Sequence, residues 1–558
     1  MDMIEEAPVS RAANSSLLHR SIPPLVSLVG VTVALSALTF WLLPLVSRRG
    51  ASLPPAFEYL FLRNEPTAAW LSCGIIAGAA LLGWLSRAPE RLFVERLAAD
   101  PRAFIVGVTA VLALSALIVY RAHALSMDEY APLFQARVFS HVVLFGRAPP
   151  ELIHRLVPPF RWFIETAPDG RMVSAYWPGF ALLLTPFAWL HVPWLLNPLI
   201  GGLSLYLTWK IAHQIWPQGA QPGWTVMLSA ASPAFVVNAI SYYSMSAHFL
   251  ASLCFAALLL RPGPSRLLAA GAVGSLALVL HNPLPHALFA IPWIVAVLLR
   301  PGRWRNLALL AAGYLPGILL LGVGWMWVRA QVGNTAESSA HGVMATLLAL
   351  RRLAFDWPSL DLLWRRQINL AELANWAVPG LIALACAGAW QFRRHPVLRL
   401  FALSALLTFV GYLLVPYDQG HGWGYRYMHS AWAALPILAA GAVELAKAAS
   451  IRRAMGLAAA ASLVLATGLR FAQVRSFIDG QLSQIPGPVR ASAFEVVFLR
   501  PDRGYYTQDL VQNDPFMEGT RWILLSAGPT EDARFMKAWF KDARLTVHTD
   551  VADLWQID

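Results

Sequence analysis

Long apolar runs separated by short polar turns dominate the first 470 residues of this chain. Such runs are read against the roughly 20 residues that an α-helix needs to cross a bilayer core. They fall near residues 23–46, 66–86, 103–121, 194–212, 224–243, 246–261, 266–281, 286–300, 305–328, 373–391, 397–415, 430–447 and 454–470. Several of the later runs are short, and proline breaks between them predict tight hairpins. Residues 174–191 are apolar too, but Pro178 and Pro186 interrupt them and Pro193 follows. That pattern predicts a re-entrant or partly inserted segment, because irregular backbone at membrane depth is tolerated where it lines a protein cavity. After residue 470 the pattern turns polar. Residues 493–499, 522–525 and 545–548 read as strands, and 531–542 as a helix with Phe535, Trp539 and Phe540 on or near one face. The predicted architecture is an all-α polytopic membrane protein of about 13 transmembrane helices plus the partly inserted segment. A small C-terminal α/β domain completes it.

Composition agrees with this pattern. Hydrophobic residues make up 57% of the 558 and charged residues 13%, against roughly 25% charged in an ordinary soluble domain. Many of the 23 tryptophans stand near run ends, as in an interfacial belt. The net charge of +12 is spread over many short loops. It reads as positive-inside anchoring to anionic lipid, and secondarily as attraction of an anionic substrate. A nucleic-acid partner has no support, since no single basic domain exists. Cys73, Cys254 and Cys386 each lie within an apolar run and read as small core hydrophobes, not as a disulfide framework or metal cluster. The first 21 residues do not resemble a cleavable signal peptide.

Arg87, Arg91, Arg96 and Arg102 place the connection 87–102 on the cytoplasmic side. Residue 128 then falls outside. The later basic turns fall inside, while the turn with Arg48 and Arg49 fits less well. This topology gathers the polar, aromatic turns 241–248, 281–286 and 416–427 on the face of residue 128, together with the long loops 122–173 and 329–372. The inner turns are short and merely basic. An enzyme working on one face has this asymmetry. A transporter with alternating access would show related halves and charges deep within its spans, and the sequence pattern shows neither.

Ser126-Met127-Asp128-Glu129-Tyr130 follows directly on the run 103–121. Carboxylates at a membrane edge are expensive to desolvate, so they are kept to bind ions, to pair or to do chemistry. The plainer alternative is a solvated turn or a helix N-cap. Gln135, Arg137 and His141 follow at helical spacing and predict a helix lying along the interface. His248 and His281 stand at the outer ends of apolar runs, where they would bind phosphate or substrate hydroxyls, or serve as structural hydrogen-bonders. No His-x-x-x-His spacing supports metal ligation. In the loop 329–372, Arg351-Arg352 and Arg365-Arg366 lie among Leu, Phe and Trp and predict an amphipathic helix over the membrane face.

Three motifs occur in a telling order: Met127-Asp128-Glu129-Tyr130 after a span, Tyr176-Trp177-Pro178-Gly179 at the entry to the next apolar segment, and Gly422-Trp423-Gly424-Tyr425-Arg426-Tyr427 late in the chain. Over roughly 103–447 the chain resembles the membrane-embedded GT-C glycosyltransferases. Within them it is most similar to bacterial relatives of protein O-mannosyltransferases and of the lipid A aminoarabinose transferase. The resemblance implies transfer of a sugar, with inversion, from a polyprenyl-phosphate donor to an acceptor on the extracytoplasmic face of the bacterial inner membrane. Protein, glycolipid or cell-wall polymer would be the acceptor. Asp128 would be the base, and Glu129 a second carboxylate that orients the acceptor or holds a divalent metal. Arg426 would bind the departing phosphate, a guanidinium matching phosphate in a forked geometry. Tyr176 would contact substrate, and Tyr425 and Tyr427 would stack on a sugar ring or sit in the interfacial aromatic belt. The family's first-loop lysine has no counterpart here, and Arg137 or Arg171 would replace it. In this division residues 1–102 are a cytoplasmic tail and an added hairpin, 103–470 the catalytic domain, and 471–558 a soluble tail. A transporter or flippase for a lipid-linked anion is the alternative, and a non-catalytic envelope scaffold a second rival.

Overall fold

The structure is a computed structural model, and it describes residues 24–48, 56–86, 92–156, 163–332, 358–415, 419, 421–446, 448–488 and 493–557. It is mostly helical. Among the described residues, five helices are long and apolar enough to cross a membrane: Pro24–Ser47, Ala56–Leu85, Arg303–Ala330, Pro396–Leu413 and Ala449–Leu482. Leu92–Ala99 and Arg102–Ile118, bent by 92° at their junction, make a sixth if taken as one span. This is a multi-pass membrane protein, but length and composition do not support a count of thirteen. Most remaining runs form apolar helices of 10–17 residues, such as Met245–Leu260, Pro264–Leu278 and Leu284–Leu298.

The shortfall has a local cause. Proline lacks a backbone N–H and clashes with the preceding turn, so it ends helices and opens new ones. The run 224–243 is divided into Gln221–Ala230 and Pro233–Asn238 in this way. Helix Leu360–Asn375 ends before the run 373–391 resumes at Leu381–Gln391, and Gly380 between them has φ +95°. The stretch 174–191 yields strand Arg171–Ser174 and helix Gly179–Trp189. At 1.5 Å per residue, an 11-residue helix is too short to cross the core. The exposed apolar side chains along Arg303–Ala330, Leu320 and Trp327 among them, are what a lipid-facing helix presents. Cys386 is exposed on its helix, so it is not a core residue; all three cysteines are free.

A second correction concerns charge. Ala56–Leu85 begins well before the expected span, and Ala449–Leu482 runs well past it. Glu65 and Arg470, which the sequence pattern puts at span edges, therefore lie inside long helices and face each other.

On the expected outer side, the acidic motif opens helix Met127–Ser140. Ten of its 14 residues are buried, so it does not lie along the interface as an amphipathic helix would. Helix Gly179–Trp189, a small antiparallel sheet and the C-terminal unit cover it. In that sheet β1 (Gly146–Arg147) and β2 (Ile164–Thr166) flank β3 (Arg171–Ser174). The polar tail forms β4 (Phe494–Leu499), β5 (Arg521–Leu525), helix Pro529–Trp539, β6 (Ala543–His548) and β7 (Ala552–Ile557), the last not legible as a strand beforehand. The strand order is β5-β4-β7-β6, with β4 and β5 parallel and the other pairs antiparallel. This unit shares the main hydrophobic core with the helices. Its loop also hydrogen-bonds the acidic segment: Asn513 N–H donates to the Tyr130 hydroxyl at 3.0 Å, and Gln512 Nε2 to the Ala124 carbonyl at 2.6 Å. Arg155 and Asp532 form a buried ion pair at 2.5 Å between the first outer loop and the tail.

Candidate functional site

Asp128 and Arg426, 298 positions apart, meet directly. Arg426 Nη2 donates to Asp128 Oδ2 at 2.8 Å. Asp128 sits in the first turn of the acidic helix, where the backbone dipole favours an anion. Its other oxygen accepts from the Tyr176 hydroxyl, and Tyr176 stacks on His281 with ring centroids 4.4 Å apart. A close backbone approach brings those two together. Gly179 N–H donates to the Val279 carbonyl at 2.8 Å, and a Cβ on Gly179 would lie 2.7 Å from that oxygen. A larger residue would push the Tyr176 and His281 turns apart.

The late motif supplies Arg426 through a turn in which Gly424 has φ +65°, a conformation side-chain-bearing residues rarely adopt. Gln419 holds this turn, accepting from Arg426 N–H at 3.1 Å and donating to the Gly424 carbonyl at 2.8 Å. The guanidinium also donates to the Gln419 carbonyl and lies 4.9 Å from the Tyr243 ring centroid and 5.9 Å from that of Tyr427. Two of its donor atoms, Nε and Nη1, are buried without a partner among the described residues. Burial alone would raise the Asp128 carboxyl, but the Arg426 charge, the Tyr176 hydroxyl and His281 outweigh it and hold the group below the usual carboxylate range. Burial pushes the His281 imidazole down to about 4, so it is neutral near pH 7.

Glu129 points elsewhere. It is fully buried. Its oxygens accept from the Tyr120 hydroxyl at 2.8 Å, Tyr242 N–H at 2.7 Å and Leu125 N–H at 2.7 Å. Burial pushes its carboxyl up to about 7 despite these donors. Glu129 thus pins the turn 240–243 against the acidic segment, one residue from Asp128 but directed away from Arg426. With Glu129 engaged in this way, the acidic pair does not fit a divalent ion. Among the described residues, no three His, Cys, Asp or Glu side chains are placed to hold a metal.

The other expected residues divide. Tyr427 stacks on Tyr412 at 4.3 Å beside the guanidinium, and Tyr425 packs edge-on to Tyr427 with its buried hydroxyl unpartnered among the described residues. His248 lies in the first turn of helix Met245–Leu260, buried, with both ring nitrogens unpartnered among the described residues, and no hydrogen bond ties it to Asp128 or Arg426. Arg137 lies nine residues along the acidic helix from Asp128, about 13 Å at the helical rise. Arg171 pairs with Asp169 at 2.7 Å near the surface. Of the second-loop arginines, 351 and 352 lie outside the described residues. Arg365 and Arg366 belong to Leu360–Asn375, where Arg365 pairs with Asp361 at 3.1 Å and Arg366 is buried, donating to the Val415 carbonyl at 2.7 Å. That helix has one face packed against the bundle, while Leu360 and Leu363 are exposed.

Three residues of the site escaped the sequence reading. Tyr243 and Gln419 stand in turns whose polar and aromatic composition is the available signal. Asp509 had none. It comes from the C-terminal unit, accepts from Met127 N–H at 2.8 Å at the start of the acidic helix, and lies 3.3 Å from His421 Nε2.

No protein-family model matches this sequence, and no curated protein matches it. Its fold does match solved structures. ArnT from Cupriavidus metallidurans, both bound to undecaprenyl phosphate and in the apo state, aligns with a TM-score of 0.51 at 12% identity. The alignment covers 81% of this chain and 98% of the other. At that identity the likeness speaks for the fold alone: this chain has the fold of ArnT.

Proposed function

We propose that this chain is an integral-membrane glycosyltransferase that takes a sugar from a polyprenyl-phosphate donor. The observation that carries the reading is the direct contact of Asp128 with Arg426, whose remaining donors Nε and Nη1 are buried and have no partner among the described residues. An unpaired buried donor costs roughly 1–3 kcal/mol, and more on a charged group, so a site that keeps two of them is built for an anion. A lipid-linked phosphate meets that need at a membrane edge. ArnT, which shares the fold, binds undecaprenyl phosphate, and this supports the same donor class here.

The proposed sequence of events begins with the donor phosphate engaging Arg426. The guanidinium neutralises negative charge as it builds on the leaving phosphate. Once Arg426 turns to the phosphate, Asp128 loses its strongest charge partner and becomes more basic. It then accepts the proton of the acceptor hydroxyl, which attacks the anomeric carbon on the face opposite the phosphate, with inversion. Tyr176 and neutral His281 orient Asp128. Glu129 is a positioning residue, and the tyrosines around Arg426 line the sugar and phosphate path. In this reading the site faces the periplasm of a bacterial inner membrane, residues 103–470 carry the catalytic groups, 471–558 form a periplasmic unit, and the acceptor is a glycolipid, a polymer or a protein. The transporter alternative is not favoured: the buried charges within the long helices, Glu65 and Arg470, are fully engaged with each other and their neighbours.

The test is a transfer assay on the purified protein with a panel of prenyl-phosphate sugars, comparing wild type with Asp128→Asn and Arg426→Ala. Loss of transfer in both variants is expected; full activity in Asp128→Asn removes the assigned base.

A further inference from the structure

The N-terminal hairpin, Pro24–Ser47 and Ala56–Leu85, reads in the sequence as an addition to a complete catalytic domain. Its chemistry points inward instead. Glu65, ten residues into its second helix, forms a forked ion pair with Arg470, Nη1 to Oε1 at 2.8 Å and Nη2 to Oε2 at 2.9 Å. The side chains are 2% and 1% exposed. Glu65 Oε1 also accepts from Trp376 Nε1 at 2.8 Å, and Oε2 from Asn375 Nδ2 at 3.2 Å. Asn375 reaches back to Thr39 Oγ1 on the first helix of the hairpin at 2.8 Å. The Arg470 guanidinium lies 4.0 Å from the Trp376 ring centroid. One indole is therefore fixed on its face by a cation and on its edge by a carboxylate.

That indole is the floor of the motif that presents Arg426. A Cβ placed on Gly424 would lie 2.8 Å from Trp376 Cγ and 2.9 Å from Cδ2, so the turn rests directly on the ring. Two residues later the chain delivers Arg426 to Asp128. A charge buried within a spanning helix is expensive and is retained where it serves structure or function with a definite partner. A purely packing role would be filled as well by apolar side chains, which often match or exceed a buried ion pair in stability.

We infer that Glu65 and Arg470 are positioning residues for Arg426, acting through Trp376 and Gly424, and that the N-terminal hairpin is an integral part of the anion site. The inference rests on the reading of Arg426 as the donor-phosphate ligand. Its test uses radiolabelled undecaprenyl phosphate as the probe and the full-length protein in detergent micelles, with a melting curve for each variant. The paired change Glu65→Leu with Arg470→Leu removes both charges at once and leaves no uncompensated ion. Trp376→Phe keeps a ring under Gly424 but deletes the N–H that fixes it, and it decides the matter if the paired variant does not fold. Weakening of probe binding by about tenfold, a loss of 1.4 kcal/mol, is expected in the paired variant while its melting curve stays cooperative. A loss of a few-fold is expected in Trp376→Phe. Wild-type affinity in a folded paired variant and in Trp376→Phe, with Arg426→Ala defective, overturns this inference and leaves the function reading standing. Wild-type affinity in Arg426→Ala overturns the phosphate-ligand reading itself, and the inference with it.

Discussion

Two arginine–carboxylate pairs lie on either side of Trp376 and the late turn, and they differ in how fully their polar atoms are engaged. Glu65–Arg470 is closed: both oxygens and the forked guanidinium edge are engaged, and further bonds from Trp376 and Asn375 to the carboxylate and from Arg470 to Gln473 complete the shell. Asp128–Arg426 is open: Asp128 is 15% exposed against 6% for Arg426, one guanidinium nitrogen makes the contact, and two more have no partner among the described residues. A saturated pair is a fixture, because any movement leaves a charge bare in a poorly polarisable interior. An unsaturated pair is poised for exchange, because an incoming anion supplies bonds that the protein leaves unmade. The number of unfilled donors separates the two roles more sharply than the modest difference in burial does.

The largest expected contrast comes from breaking each pair once. Arg470→Ala leaves Glu65 uncompensated and should lower stability by about 3–5 kcal/mol, read as a large drop in melting temperature. Arg426→Ala should instead lower transfer by about 100- to 1000-fold with a smaller drop in melting temperature. Equal drops in melting temperature would erase the distinction.

Next in size is the pH response of Glu129, whose carboxyl burial raises from 4.5 to about 7. A carboxyl raised on folding favours the folded state in its protonated form. Its contribution is complete below pH 4.5 and fades as pH rises through 7. Over that window wild type should lose about 3 kcal/mol relative to Glu129→Gln. Parallel stability–pH curves for the two proteins would remove Glu129 as the responsible group.

Arg426→Lys sharpens the comparison further. A lysine keeps the charge but not the planar fork, so donor affinity should fall about tenfold, with more of the change in KM than in kcat. The smallest effect is expected from Tyr176→Phe. Removing the hydroxyl that donates to Asp128 takes away one of the influences that lower its carboxyl. The acid limb of the rate–pH profile should move upward, with a loss of about three- to tenfold in rate at neutral pH. An unmoved acid limb would mean that Asp128 does not govern it.

Much of this was legible from residue order. Alternation of apolar runs and polar turns marks a multi-pass helical protein, and three of the tail's four strands and its helix show in their periodicity. Asp128, Tyr176 and Arg426 stand out because polar groups beside membrane spans are rare and each sits in a recognisable motif. The span count was not legible. Proline and polar residues divide the runs, and hydropathy cannot say whether a short apolar helix crosses or stops. Glu65 and Arg470 were missed because they fall just at the margins of apolar windows, where a charge reads as a boundary. Asp509 was missed because an isolated aspartate in a polar loop carries no periodic signal.

The sequence by itself determined that this chain lives in a membrane as a helical bundle, and which few polar side chains stand at the ends of its helices. Hydrophobicity and backbone propensity act over neighbouring residues, so they can be read locally. Only the tertiary structure decided that Asp128 faces Arg426, that Glu129 turns away into backbone amides, and that the N-terminal hairpin underpins the late turn. Those outcomes depend on which distant groups satisfy one another once water is excluded, and no stretch of the chain carries that information alone.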